Sequence, residues 1–162
     1  MNWKAMAPAD VCDIIDFWIG EAWPMSKGDA QQRAVQRFGW ITEDENQETY
    51  LVNSVSSLSN ADVMMIELKD QLMDCGLDVT DTIRDVTDNS LAFLGDAFTL
   101  IVREGKSRWG VPQLQDDGEV ATARWEVTQT ARVTVTRALR GVSVTYDTPQ
   151  GAALARKMER YE

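Results

Sequence analysis

From Ala121 to Val135 the odd positions read Ala121, Ala123, Trp125, Val127, Gln129, Ala131, Val133 and Val135, apolar except at Gln129. The even positions read Thr122, Arg124, Glu126, Thr128, Thr130, Arg132, Thr134 and Thr136, all polar. A period of two puts one set on each face of a β segment, one face apolar and the other rich in Thr. At roughly 3.3 Å per residue this run would be about 50 Å long, whereas a compact chain of this length is only about 40 Å across. The segment therefore breaks near Gln129-Thr130, with a tight turn that keeps the parity, or it projects as an arm. Arg140-Gly141 then reads as a turn, and Val142, Val144 and Tyr146 alternate with Ser143, Thr145 and Asp147 as a partner strand.

Helical spacing flanks this β-rich region. Pro8 suits the first turn of a helix, and Val11, Ile14, Ile15, Trp18 and Ala22 follow on one face up to Gly20 or Trp23-Pro24. A short helix is predicted from Asp29 to Phe38, stopped by Gly39. Thr42–Glu48 reads as an acidic loop and Thr49–Val55 as a strand. Ser59-Asn60-Ala61-Asp62 resembles a capping box, so a helix is predicted with Ala61, Met64, Met65, Leu68 and Leu72 as its stripe and Gly76 at its end. Asp78-Val-Thr-Asp81 recurs seven residues later as Asp85-Val-Thr-Asp88. On a helical wheel Val79, Ile83, Val86, Phe93 and Leu94 share one side, and Asp78, Asp81, Asp85 and Asp88 the other. Ala97–Arg103 reads as a strand, Gly105 to Gly118 as a long loop carrying Trp109 as a candidate contact residue, and Thr148-Pro149 as the start of a last helix. The predicted fold class is α+β, an antiparallel sheet with a long β-hairpin flanked by several helices. One domain of 162 residues is expected, helical over residues 1–95, β-rich over residues 97–147, and closed by a C-terminal helix over residues 149–160.

The composition narrows the chemistry. There is no His, which removes imidazole general bases, Ser-His-Asp machinery and the usual zinc sites. Cys12 and Cys75 have no CxxC partner and read as two reduced, buried thiols. No EF-hand spacing occurs in the Asp row, so neither a metal nor a cofactor is expected. An enzyme would have to rely on carboxylates, Tyr50, Tyr146, Tyr161 or the thiols. The N-terminus does not read as a signal peptide, because Asp10, Asp13 and Asp16 interrupt any apolar core. No run is long enough to span a membrane.

The net charge is −10, unevenly placed. Residues 1–118 hold 9 basic and 21 acidic side chains, residues 119–162 hold 7 and 5. That pattern argues against general nucleic-acid binding and permits head-to-tail contact between copies. The expected partners are therefore proteins. A long amphipathic hairpin with no edge proline needs covering, and a neighbouring copy is one solution. The candidate interface is Trp109, Arg124, Glu126, Thr128, Thr130, Arg132, Thr134 and Thr136. An alternative is a small acidic inhibitor or immunity protein that mimics nucleic acid and binds a basic host or toxin protein. Its contacts would be Asp78, Asp81, Asp85 and Asp88, with Glu43, Asp44 and Glu45.

The cadence of Val120–Val127, Ala131–Thr136 and the helical Ala152–Met158 resembles the tail-terminator and neck proteins of tailed bacteriophages, over residues 119–161. The resemblance implies an α/β body and a non-catalytic, ring-forming subunit that closes the tail tube or joins it to the neck. It would reside in the virion, assembled in the host cytoplasm, as a homo-oligomer in contact with other particle proteins.

Overall fold

The computed structural model describes residues 2–161. Its frame is one eight-stranded antiparallel sheet in the order β1-β2-β3-β4-β8-β7-β6-β5. The strands are β1 (Ile41–Glu45), β2 (Glu48–Val52), β3 (Asp62–Leu68), β4 (Gln71–Asp78), β5 (Leu114–Asp116), β6 (Ala121–Val127), β7 (Ala131–Arg137) and β8 (Val142–Asp147). Four helices accompany them: α1 (Pro8–Ile19), α2 (Lys27–Phe38), α3 (Asp88–Trp109) and α4 (Pro149–Glu159). The fold is thus α+β, with β6 and β7 as its longest regular hairpin.

The alternating segment does break at Gln129. Thr128 and Gln129 take φ values of 54° and 67°, and Val127 pairs with Ala131 across a three-residue turn. Because the turn keeps parity, Ala123 faces Val135 and Trp125 faces Val133. All seven apolar odd positions are buried. With Cys75, Leu77, Val144 and Tyr146 of the neighbouring strands they make the floor of the core. α1 and α3 lie on that floor, and α2 covers the β3–β4 end. α1 buries Val11, Ile14, Ile15 and Trp18 of the predicted face together with Cys12, whereas Ala22 lies beyond the helix and is exposed. Gly105 of α3 sits where an added Cβ would lie 2.9 Å from the Trp125 ring, so this helix packs close to the sheet because the position is bare. α4 crosses the opposite face. Its Gly151 rests on the Met73 carbonyl, where no side chain fits.

The helix predicted after Ser59 does not form. Residues 62–78 are the β3–β4 hairpin, joined by Lys69 and Asp70 with φ values of 52° and 62°. Positive φ at both central residues matches the right-handed strand twist. The expectation of a helical region over residues 1–95 is therefore corrected: β1 to β4 lie inside it, and Thr42–Glu48 is mostly β1 and its turn. The strand predicted at 97–103 is helical. Leu94, Ala97, Phe98, Ile101, Val102 and Gly105 are buried at helical spacing, whereas Leu100 is exposed. The loop predicted at 105–118 shortens in turn, since α3 runs to Trp109 and β5 follows. The helix predicted through both Asp-Val-Thr-Asp copies begins only at Asp88, where Thr87 and Ser90 form a reciprocal cap.

Candidate interaction surface

The sheet has two unlike faces. The inner one carries the core. On the outer one, α4 runs over β4, β8 and β7 and reaches Arg124 and Glu126 of β6, whereas Met64 and Ile66 of β3 stay exposed. Arg124, Glu126 and Arg132 point outward beneath the C-terminal half of α4, and their charges are taken up there. Arg132 Nε donates to Glu126 Oε1 at 3.1 Å and its Nη1 to Glu159 Oε1 at 2.9 Å. Arg156 of α4 donates to Glu126 Oε2 and, at 3.0 Å, to the Thr130 carbonyl. Arg132 is 5% exposed. Burial lowers its proton affinity, but Glu159 and Glu126 together raise it on balance. These three residues fasten α4 to the sheet.

Thr134 and Thr136 continue the same outer face, Thr134 directly opposite Arg124, whereas Thr128, Thr130 and Trp109 lie elsewhere. Thr128 and Thr130 lie in the β6–β7 turn, and Thr134 and Thr136 pair with Thr145 and Ser143 on the half-buried outer face. Trp109 is on the inner side. Its Nε1 donates to Asp16 Oδ1 at 2.8 Å and its ring meets Trp125 edge-on at 5.3 Å. The acidic row also dissolves. Asp78 accepts from Asn60 Nδ2 at 2.8 Å. Asp81 accepts the Lys4 and Ser59 backbone N–H groups, both at 2.8 Å. Asp85 stays in the loop and Asp88 opens α3. No group of three or more His, Cys, Asp or Glu among the described residues is arranged to hold a metal ion. No described helix is long and apolar enough to cross a membrane.

A further surface is the outer face of β1, β2 and β3, which includes Glu43 and Glu45 of the alternative acidic contact. Met64 is 66% exposed and Ile66 55%. Ile41 and Tyr50 are exposed beside them. The register puts Ile41, Glu43 and Glu45 of β1 on the same face as Val52, Tyr50 and Glu48 of β2, and Val52 brings Asp62 of β3 alongside. Apolar side chains are thus ringed by Glu43, Glu45, Glu48 and Asp62. From Phe38 to Leu68 the chain has no Lys or Arg at all, so nothing local balances these charges. The β1–β2 hairpin also stands clear of the sheet: only Leu51 and Val52 of β2 pair onto β3. Gln31 Nε2 of α2 steadies it from behind by donating to the Thr49 carbonyl at 3.0 Å. A gap of basic residues spanning a predicted strand was the signal available in the sequence.

Both thiols are buried. Burial pushes Cys12 up to about 12 and raises Cys75 as well, so neither is a ready nucleophile.

The model of DUF6301, a family of unknown function, matches residues 9–148. No curated protein and no solved structure matches the chain.

Proposed function

The chain belongs to the DUF6301 family, and we propose that it is a non-enzymatic assembly protein that works by contact between its own copies. The observation that carries this reading is the uncovered outer face of β1–β3, where Met64, Ile66, Ile41 and Tyr50 meet solvent. Neighbouring apolar groups on a soluble sheet mark a surface that another chain covers. A second copy suits it because the chain has cations of its own to offer an acidic surface, while its self-repulsion at net −10 keeps the free form dispersed. The finer reading, a ring subunit of a tailed-phage tail terminator or neck, is supported by the resemblance over residues 119–161 alone.

Hydrogen exchange at rising protein concentration tests the proposal. The amides of β1–β3 gain protection as copies meet, while those of the β6–β7 turn do not. Exchange independent of concentration over the accessible range contradicts it.

The acidic hairpin favours a second reading, a small inhibitor or immunity protein that seats Glu43, Asp44, Glu45 and Glu48 in a basic partner protein. Asp78 and Asp81 drop out of that contact because their carboxylates are engaged within the fold. This reading predicts a concentration-independent monomer. It also predicts a complex with a basic protein that dissociates with salt and is lost when the four hairpin acids are neutralised.

A further inference from the structure

We infer that the copies join head to tail across the two ends of the sheet, the acidic β1–β2 hairpin of one seating in a cationic groove at the β5 end of the next. This rests on the reading of the chain as a self-assembling protein and specifies the contact. β1 and β5 are the two edge strands of the sheet, so the two surfaces lie at opposite ends of one molecule. The groove has a volume of about 580 Å³ and runs between α3 and the β6–β7 pair. Arg103 and Lys106 of α3 and Arg137 at the end of β7 line it, with Phe98 and Val102 contributing its apolar part. Asp96 and Asp117 also line it, so three cations face two anions there.

The cations of this groove are not consumed by the fold. Arg33, Arg108, Arg124, Arg132 and Arg156 are held in ion pairs, whereas Arg103, Lys106 and Arg137 make none among the described residues. Arg137 uses Nη2 to hold the Gly118 and Glu119 carbonyls at 2.9 and 3.3 Å. That fixes its guanidinium at the groove and leaves its other donors free. The hairpin offers the complement. Glu43, Asp44, Glu45 and Glu48 are all exposed within six residues of chain. Asp44 is steadied by the Thr49 hydroxyl, which donates to it at 2.7 Å. A strand pair with an acidic tip and Tyr50 on its flank presents negative charge to the groove's cations and an apolar side chain to its Phe98 and Val102.

The two patches differ, so the contact is heterologous. Each added copy leaves one free hairpin and one free groove, and the chain of contacts closes into a ring or extends as a filament. Opposite charges a few ångströms apart make it salt-sensitive, since screening acts over about 8 Å at physiological ionic strength.

Two neutralised proteins test this. One carries Glu43→Gln, Glu45→Gln and Glu48→Gln, the other Arg103→Gln and Lys106→Gln. All five positions are exposed, and circular dichroism confirms that each protein keeps its fold. Masses are read by light scattering in low salt. The expected result is a multimer for the wild type, an association at least about tenfold weaker for each variant alone, and a species of two chains in their equal mixture. The mixture stops at two because only one live hairpin and one live groove remain between them. A wild-type multimer that neither variant disturbs overturns the head-to-tail contact and leaves self-assembly standing. A variant pair that is broken singly and stays broken when mixed also overturns it, because a heterologous contact must be rescued. A wild type that remains a monomer throughout removes both the contact and the reading beneath it.

Discussion

Asp74 and Asp147 face one another across β4 and β8, on the outer side of the sheet. Burial raises Asp74 to about 6, and the neighbouring Asp147 carboxylate adds to the shift. The folded chain then keeps a proton that the unfolded chain has already released, so this group costs stability as pH rises from about 4 to about 6. Asp74→Asn removes the cost. At pH 7.5 the variant is expected to be more stable by about 1 kcal/mol, the full effect being reduced by the solvent that still reaches the group. At pH 4 the gain vanishes. Thermal unfolding at the two values checks this, and an equal shift at both contradicts it. Gly151 gives a residue-scale prediction of opposite sign to propensity. An exposed helical Gly replaced by Ala ordinarily gains stability. Here the new methyl meets the Met73 carbonyl, a backbone atom that cannot swing aside. Gly151→Ala should therefore lose about 2 kcal/mol in urea unfolding.

The elements that the sequence disclosed are those whose signals are local and unshared. Pro8 and the Val11 to Trp18 face mark α1. Gly39, left-handed at φ 71°, ends α2. Thr148 caps α4 by accepting from the Gly151 N–H at 3.0 Å. The strict alternation marks β6 and β7. The β3–β4 hairpin hid because Lys69-Asp70 carries no Gly, the usual sign of such a turn. Its apparent capping box is used otherwise: Ser59 Oγ accepts the Thr82 N–H, and Asn60 Oδ1 that of Asp62. The β1–β2 turn hid in the same way, with Asn46 and Gln47 at φ 52° and 68°. Gln47→Gly should relieve that strain and stabilise the chain by about 1 kcal/mol. Denaturant unfolding reads this, and a loss of stability contradicts the turn. The candidate site was less legible than the fold. Alternation places Arg124, Glu126 and Arg132 on the outward face, but their partners Arg156 and Glu159 arrive only when α4 folds back. Exposure of Met64 and Ile66 likewise depends on which strands α4 leaves bare, which no local pattern encodes.

At the scale of the whole molecule, helices protect one face of a wide sheet and a single short helix protects a portion of the other. The uncovered portion is acidic and apolar, the far edge holds unpaired cations, and the net charge opposes casual aggregation. A contact between unlike ends satisfies all three conditions. It predicts that rising salt lowers the average mass, because the attraction is between exposed charges while the fold itself is unaffected. A rise in mass with salt would place the contact in the apolar groups alone. The native mass by light scattering on a sizing column, across concentration and salt, reads this contact directly. Head-to-tail contact predicts a mass above 18.2 kDa that grows with concentration and falls with salt. A mass of 18.2 kDa under every condition would contradict it.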